Sequence, residues 1–323
     1  MLNAALQGAC APSASRDASA PIGLIGAGSL GAAIGLRLLG CQGSLVAWNR
    51  SPARLAPLAA AGVQVATTVT ALARRATVIV VCLSDADAIR AVLLDGSVDW
   101  SRLSHRLVLN TSTIGAEASE ALEADFAAAG VDYLDMPVSG GPEGAASGTL
   151  AVYVGDVRAH QGIVGRLVSA LAGRVIRCKS NQDAQRLKVL NNLCEAINLW
   201  GAAEAIALGR QLGLSLDDLQ EGLTGGRGDS RYLRVLLEHL RTAPEHVAVS
   251  MAIRTKDLQL AERLAGTPGS LPPLARLTKS LFDEAGEALG TFVDQCECLS
   301  YLTDGGAEAR RVQTAATAGS AAA

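Results

Sequence analysis

The chain has 323 residues, of which 49% are hydrophobic and 18% charged, with a formal net charge of −3. That composition belongs to a folded globular chain with material for one large or two ordinary domains. No basic run occurs, which speaks against nucleic acid or an anionic membrane surface as the main partner, and no apolar run approaches the roughly 20 residues that span a bilayer.

Residues 1–20 have neither a positively charged start nor a long apolar stretch, so they read as a disordered leader rather than a signal peptide. From 21 onward, short β-branched runs alternate with amphipathic stretches. Strands are expected at 22–25, 45–48, 64–67, 78–83, 107–110, 133–136, 150–154 and 175–178. Helices are expected at 30–39, 52–61, 87–94 and 117–129. Strands alternating with helices imply βαβ units with right-handed crossovers, hence a doubly wound parallel sheet over 21–180.

The character changes near 181. To about 210 the pattern is helical, with Leu187, Leu190, Asn191, Cys194, Ile197, Ala205 and Leu208 at three- and four-residue spacing. Further helices are expected at 216–223, 230–240, 251–264, 274–287 and 292–301. An all-α domain over 181–304 thus follows the Rossmann-like one, joined by the long helix 181–210. The tail 305–323 is low in complexity and reads as disordered.

The seven cysteines are scattered and include no pair of C-x-x-C motifs, which suits a reducing, cytoplasmic compartment. Cys82 and Cys194 read as small buried hydrophobes. Cys296 and Cys298 form a C-x-C with no third ligand in view, so no metal is expected. The pairs Arg74-Arg75 and Arg310-Arg311 read as solvated surface.

Gly26-Ala27-Gly28-Ser29-Leu30-Gly31 follows an apolar strand and opens an apolar helix. In that position the first glycine permits a tight turn, the second lets backbone approach a pyrophosphate, and the third lets helix pack on strand. The helix start offers free N–H groups to the phosphates. A dinucleotide is therefore expected on Gly26, Gly28, Ser29, Leu30 and Gly31, with Leu83 at the end of the fourth strand beside it. At the end of the second strand an NAD site usually carries an acid for the ribose hydroxyls. This chain has Asn49-Arg50-Ser51 instead. An acid would repel a 2′-phosphate, whereas Arg50 can pair with it and Asn49 and Ser51 can add neutral hydrogen bonds. The expected cofactor is NADP(H) rather than NAD(H).

The run Met136-Pro137-Val138-Ser139-Gly140-Gly141-Pro142 follows a strand. Its backbone N–H groups and the Ser139 hydroxyl suit a carboxylate, although alone it could equally be a surface turn. Lys188 and Asn192 share one face of the long helix at i, i+4. A lysine on a partly buried face at a domain junction can pass a proton; alone it could equally be a surface lysine.

In order, Gly26-x-Gly28-x-x-Gly31, Asn49-Arg50-Ser51, Ser112-Thr113-Ile114, Pro137-Val138-Ser139-Gly140-Gly141, Lys188-x-x-x-Asn192 and Lys256-Asp257-Leu258 resemble the motifs of the β-hydroxyacid dehydrogenase family, which includes 3-hydroxyisobutyrate dehydrogenases and semialdehyde reductases. The resemblance runs from about Pro21 to Leu302. It implies a Rossmann domain, a long interdomain helix and an all-α domain, in homodimers or homotetramers. It also implies a small carboxylate-bearing substrate, a β-hydroxyacid or its semialdehyde or keto form. Residue by residue, it implies Lys188 as general acid and base and Asn192 on the substrate oxygen. Ser139, Gly140 and Gly141 would take the substrate carboxylate, Thr113 would lie near the nicotinamide, and Lys256 would reach the cofactor.

Three departures stand out. Asn181-Gln182-Asp183-Ala184 replaces a Gly-x-Gly before the lysine, Val249 stands where a phenylalanine is usual, and Arg227, Arg231 and Arg254 lie where substrate is usually selected; each reads first as solvated helix-end charge, and any of them could instead meet a second anionic group. Imine reductases share the architecture but typically lack the lysine. A non-catalytic NADP-binding sensor would be expected to have lost Ser139, Lys188 and Asn192.

Overall fold

The computed structural model describes residues 21–103, 106–157, 160–244, 247–267 and 269–305. The expected leader, almost all of the expected tail and the Arg310-Arg311 pair lie outside the described residues. The chain divides into two compact units between Lys188 and Val189.

The first unit begins β1 (Ile22–Ile25), α1 (Ser29–Gln42), β2 (Leu45–Trp48), α2 (Ala56–Ala60), β3 (Gln64–Val65), α3 (Val69–Arg75), β4 (Val78–Val81) and α4 (Ala86–Leu93). It continues β5 (Leu107–Asn110), α5 (Ala116–Ala128), β6 (Asp132–Asp135), β7 (Val138–Ser139), α6 (Gly141–Ser147), β8 (Leu150–Val154), α7 (Gln161–Leu171) and β9 (Ala172–Arg177). Six strands form a sheet in the order β3-β2-β1-β4-β5-β6, every pairing parallel. This is the expected doubly wound sheet. Apart from the exposed edge strand β3, its strands are buried on both faces because alternate side chains enter two cores. Leu24, Val80 and Leu109 pack with Ile34 and Leu38 on one face; Ile25, Val81 and Val108 pack with Leu72, Ile89 and Phe126 on the other. The strand order reverses between β1 and β4, and ligands of such sheets bind at that switch point beyond the carboxyl ends.

A second sheet, β7-β8-β9, pairs β7 with β8 antiparallel and β8 with β9 parallel. The strands expected at 150–154 and 175–178 therefore lie in this second sheet and not in the parallel one, and four elements were not expected: β7, whose two residues are too few to show an alternating run, and the helices α3, α6 and α7. Helix α3 forms because the Thr68 hydroxyl accepts the Ala71 N–H, a cap outweighing the β-branched Val69 and Thr70. Helix α6 lies inside the glycine-rich run, where Pro142 tolerates a first helical turn. Helix α7 follows β8 and leads into β9, which starts three residues before the expected strand.

The second unit is helical: α8 (Asn181–Gln211) enters it from the first unit, followed by α9 (Leu216–Leu223), α10 (Arg231–Thr242), α11 (Met251–Leu264) and α12 (Pro273–Leu289). Its core gathers Leu199, Trp200, Ala203 and Ile206 of α8 with Leu236, Leu258, Phe282 and Tyr301. Residues 295–305 form short helical turns instead of one helix. Gly290, at positive φ, ends α12, and the Asp294 carboxylate caps the Cys296 N–H. No described helix is long and apolar enough to cross a membrane.

The expected inward face of α8 is partly reversed. Leu187, Leu190 and Leu208 are exposed, as is Cys194, while Ala184, Gln185, Lys188, Val189 and Asn192 are buried. Apolar spacing finds the inward face only where the core is apolar, and in its first half α8 buries polar groups.

Candidate active site

The glycine turn is fixed by close approach. Gly26 has φ +97°, and a Cβ there would lie 2.1 Å from the Cys82 carbonyl oxygen; one on Gly31 would lie 2.1 Å from the Gly26 carbonyl oxygen. Around Gly28 the only described atom within 4.0 Å of such a Cβ is Nη1 of Arg54. The outer and inner glycines are thus required by the protein itself, and the middle one leaves open space at the start of α1. The first turn of α1 contains no acid, so its positive end stays available to an anion. This cradle fits a pyrophosphate. Leu83 abuts it, its Cδ2 lying 3.1 Å from a Gly26 Cβ, and its N–H donates to the Ser112 hydroxyl at 2.9 Å.

At the end of β2 the expected roles divide. The Asn49 oxygen accepts the Ala27 N–H at 2.9 Å, and its amide nitrogen donates to the Ser51 carbonyl at 2.9 Å. Asn49 therefore clamps the glycine turn to β2 rather than presenting its amide to a phosphate. Arg50, Ser51 and Arg54 are exposed beside it. Sequence reasoning passed over Arg54 because it lies beyond the usual position; its spacing of four from Arg50 was the available signal.

Ser139 ends β7, and Gly140 and Gly141 follow at φ +132° and +67°, conformations that side chains rarely adopt. Thr113 is half-buried in the loop after β5. Lys188 is 6% exposed on α8, and Asn192, one turn on, is 4% exposed. Where the Gly-x-Gly is replaced, Ser180 caps α8 through its hydroxyl to the Asp183 N–H at 3.1 Å, and the Asn181 side-chain oxygen accepts the Asp135 N–H at 2.9 Å.

In the second unit the Asn192 amide donates to Asp257 Oδ2 at 2.6 Å, and Lys256 Nζ lies 3.0 Å from Asp257 Oδ1. Asp257 thus holds both residues of the family motifs. Arg254 overturns one expectation. It is 1% exposed, and its guanidinium donates to the Gln295 side-chain oxygen (2.7 Å), the Asn192 carbonyl (2.8 Å), Glu195 (3.2 Å) and the Tyr232 hydroxyl (3.1 Å). Burial acts to lower its pKa, yet Tyr232, Glu195 and Asp257 hold it above the usual value. It braces the helices and does not meet a substrate anion. Arg227 and Arg231 are exposed.

Folding also gives Cys296 neighbours that the linear chain hid: ligand atoms of His239, Asp294 and Cys296 lie within 4.8 Å of one another. The Asp294 carboxylate already accepts three backbone N–H groups, of Ala248, Val249 and Cys296, and His239 Nε2 lies 3.0 Å from Glu297. Burial and Asp294 push the Cys296 thiol well above its usual value. The cluster anchors the turn after α12. The Cys82 thiol is pushed up to about 11 by burial.

A glycine cradle on a doubly wound sheet, followed by a helical unit entered on a helix bearing a buried lysine, defines a dinucleotide-binding oxidoreductase. Residues 21–178 match the NAD binding domain of 6-phosphogluconate dehydrogenase, and residues 183–302 match the NAD-binding domain of NADP-dependent 3-hydroxyisobutyrate dehydrogenase. The chain is 30% identical over 272 residues to an NAD-dependent L-serine dehydrogenase of Pseudomonas aeruginosa, covering 81% of this chain and 90% of that one. It is 27% identical to a 2-(hydroxymethyl)glutarate dehydrogenase of Eubacterium barkeri, covering 85% and 91%. Among solved structures, Psf3 in complex with NADP+ and 2-OPP superposes with a TM-score of 0.82 at 36% identity, over 87% of this chain and 99% of that one. The chain belongs to the β-hydroxyacid dehydrogenase family.

Proposed function

We propose that the protein interconverts a small β-hydroxyacid and its semialdehyde or keto form with NADP(H), using Lys188 as general acid and base. The observation that carries this reading is Lys188 itself, a lysine buried on α8 one turn from Asn192 in a chain that has the glycine cradle. The bound nicotinamide supplies or accepts the hydride. The chain's own residues do the rest. Ser139, Gly140 and Gly141 bind and orient the substrate carboxylate. Lys188 gives its proton to the oxygen that becomes the alcohol, and takes it back in the oxidative direction. Asn192, its amide set by Asp257, holds that oxygen. Proton transfer of this kind is worth about 10²–10⁴-fold. Thr113 flanks the nicotinamide and Lys256 serves the cofactor from the helical unit.

The NADP preference rests on Arg50 and Arg54, two exposed cations beside the turn, and on the absence of an acid from Trp48-Asn49-Arg50-Ser51. Relatives include one named NAD-dependent, so preference belongs to this segment rather than to the family. The cytoplasm and a homo-oligomer complete the reading.

The test is a panel followed at 340 nm. NADP+ and NAD+ are offered with 3-hydroxyisobutyrate, L-serine and 2-(hydroxymethyl)glutarate, and NADPH with short semialdehydes and a cyclic imine. Turnover of an acid, lost at least 10²-fold in Lys188→Ala with NADPH affinity kept, supports the reading. Wild-type turnover in that variant, or activity on the imine alone, defeats it.

A further inference from the structure

Asp135 ends β6, and the residues after it lead directly into the Ser139 loop. Its side chain is fully buried. Onto its Oδ1 converge the Asn110 amide at 2.7 Å, the Gln185 amide at 2.7 Å and the Tyr133 hydroxyl at 2.9 Å, while the Ser119 hydroxyl donates to Oδ2. Gln185 is equally buried. Its Oε1 accepts the N–H groups of Ile114 (3.0 Å) and Gly115 (3.3 Å), and its Nε2 also donates to the Ser112 carbonyl at 3.1 Å. Three segments of the chain therefore meet at one carboxylate–amide contact: residues 110–115, which carry Thr113; residues 135–141, which carry Ser139; and the first turns of α8, which carry Lys188.

Such a joint is expensive. Burial raises the Asp135 carboxyl to about 6 against the pull of four hydrogen bonds, and an apolar core of the same shape would cost less. Satisfied polar contacts supply register, because each donor and acceptor meets its partner at one spacing only. Gln185 and Lys188 lie three residues apart on one helix, so a displacement of the first carries over to the second. A misplacement of about 1 Å at reacting groups costs about 10²-fold.

We propose that the Asp135–Gln185 contact is a positioning joint that holds Lys188, Ser139 and Thr113 in mutual register for hydride exchange. The proposal rests on the roles assigned above to those three residues. The groups facing the joint are Asn110 from β5, Tyr133 from β6, Ser119 from α5 and Asn181 from α8. Tyr133 is the titratable one among these; burial and then Asp135 hold it well above its usual range, and Glu123 of α5 acts on it in the same direction.

Two full-length variants test the joint, in the oxidation of 3-hydroxyisobutyrate or whichever acid of the panel is turned over fastest. Gln185→Met keeps the reach but removes every hydrogen bond. Its kcat should fall at least tenfold, with NADPH Kd, read by fluorescence, within threefold of wild type. Gln185→Glu sets a second carboxyl against Asp135, a pair that must share a proton to restore the contact. Its kcat relative to wild type should rise at least tenfold from pH 8 to pH 5.5, a response that lost packing alone would not give. A Gln185→Met protein with wild-type Kd and wild-type kcat overturns the joint. A Gln185→Glu ratio constant across pH also overturns it, and decides the matter if the methionine variant fails to fold. Wild-type turnover in Lys188→Ala would instead remove the lysine's role, so the two failures read differently.

Discussion

Asp135 and Arg254 are buried charges with opposite accounts. Asp135 has no cation among the groups that hydrogen-bond to it, and its carboxyl moves up from 3.8 to about 6. A raised carboxyl means that the folded chain binds the proton more tightly than the unfolded chain. Folding stability therefore rises as pH falls from about 6 toward 4, by about 3 kcal/mol in all, and that gain is absent above pH 6. Asp135→Asn should remove this dependence. The variant can keep the three donors on its oxygen while Ser119 turns to accept from its nitrogen. In urea unfolding at pH 8, 6 and 4.5, its stability relative to wild type should be highest at pH 8 and decline on acidification; a constant difference would count against the raised carboxyl. Arg254 is instead fully engaged by Gln295, Asn192, Glu195 and Tyr232. Arg254→Ala leaves half-buried Glu195 without its cation and Gln295, Asn192 and Tyr232 without their donor, and should cost about 2–3 kcal/mol in the same assay. A loss below about 1 kcal/mol would contradict the bracing role.

Among the elements, the β1–α1 turn separates structural from binding demands within six residues. Gly26→Ala drives a Cβ to 2.1 Å from the Cys82 carbonyl oxygen at a φ of +97°. It should destabilise the fold by at least about 2 kcal/mol and abolish NADPH binding. Gly28→Ala meets only Arg54 at 4.0 Å, so its stability should stay within about 0.5 kcal/mol while its NADPH Kd rises at least tenfold. Thermal melts and fluorescence titration check both; unchanged affinity in Gly28→Ala would remove the pyrophosphate from that turn. This turn was legible from sequence because its chemistry is local, strand, glycines and helix in one run. The same holds for the six strands of the parallel sheet, each overlapping a short run where a strand was expected. The register of α8 was not legible, since its buried face at Gln185, Lys188 and Asn192 is polar and period-based reading follows apolar residues. Nor was Arg254, whose partners come from three separate places in the chain: α8, α10 and the turn at Gln295. Helix α6 was hidden by a composition, Gly-Pro-Glu-Gly, that serves a short helix and a loop equally well.

At the scale of the whole chain, the two units have separate apolar cores, and the dinucleotide cradle belongs to the first. Cofactor binding should therefore raise the stability of the first unit by linkage, about 2.7 kcal/mol at a concentration one hundred times Kd. Hydrogen exchange read by mass spectrometry should show NADPH slowing amides of β1, α1 and β4 most. Equal slowing throughout α9, α10 and α12 would place the cofactor's main contacts elsewhere.

The interlocked backbones of Gly26, Gly31 and Cys82 also constrain how this protein can diverge. No codon change at Gly26 or Gly31 gives a residue without a Cβ, so inheritance has no small step to take there. The side chains of Arg50, Ser51 and Arg54 are exposed, and the bond that Asn49 makes to this segment goes to the Ser51 backbone carbonyl, which any residue supplies. If, as proposed above, Arg50 and Arg54 choose the dinucleotide, drift between one and the other, in lineages or in directed evolution, should be channelled into those three codons while the cradle stays frozen.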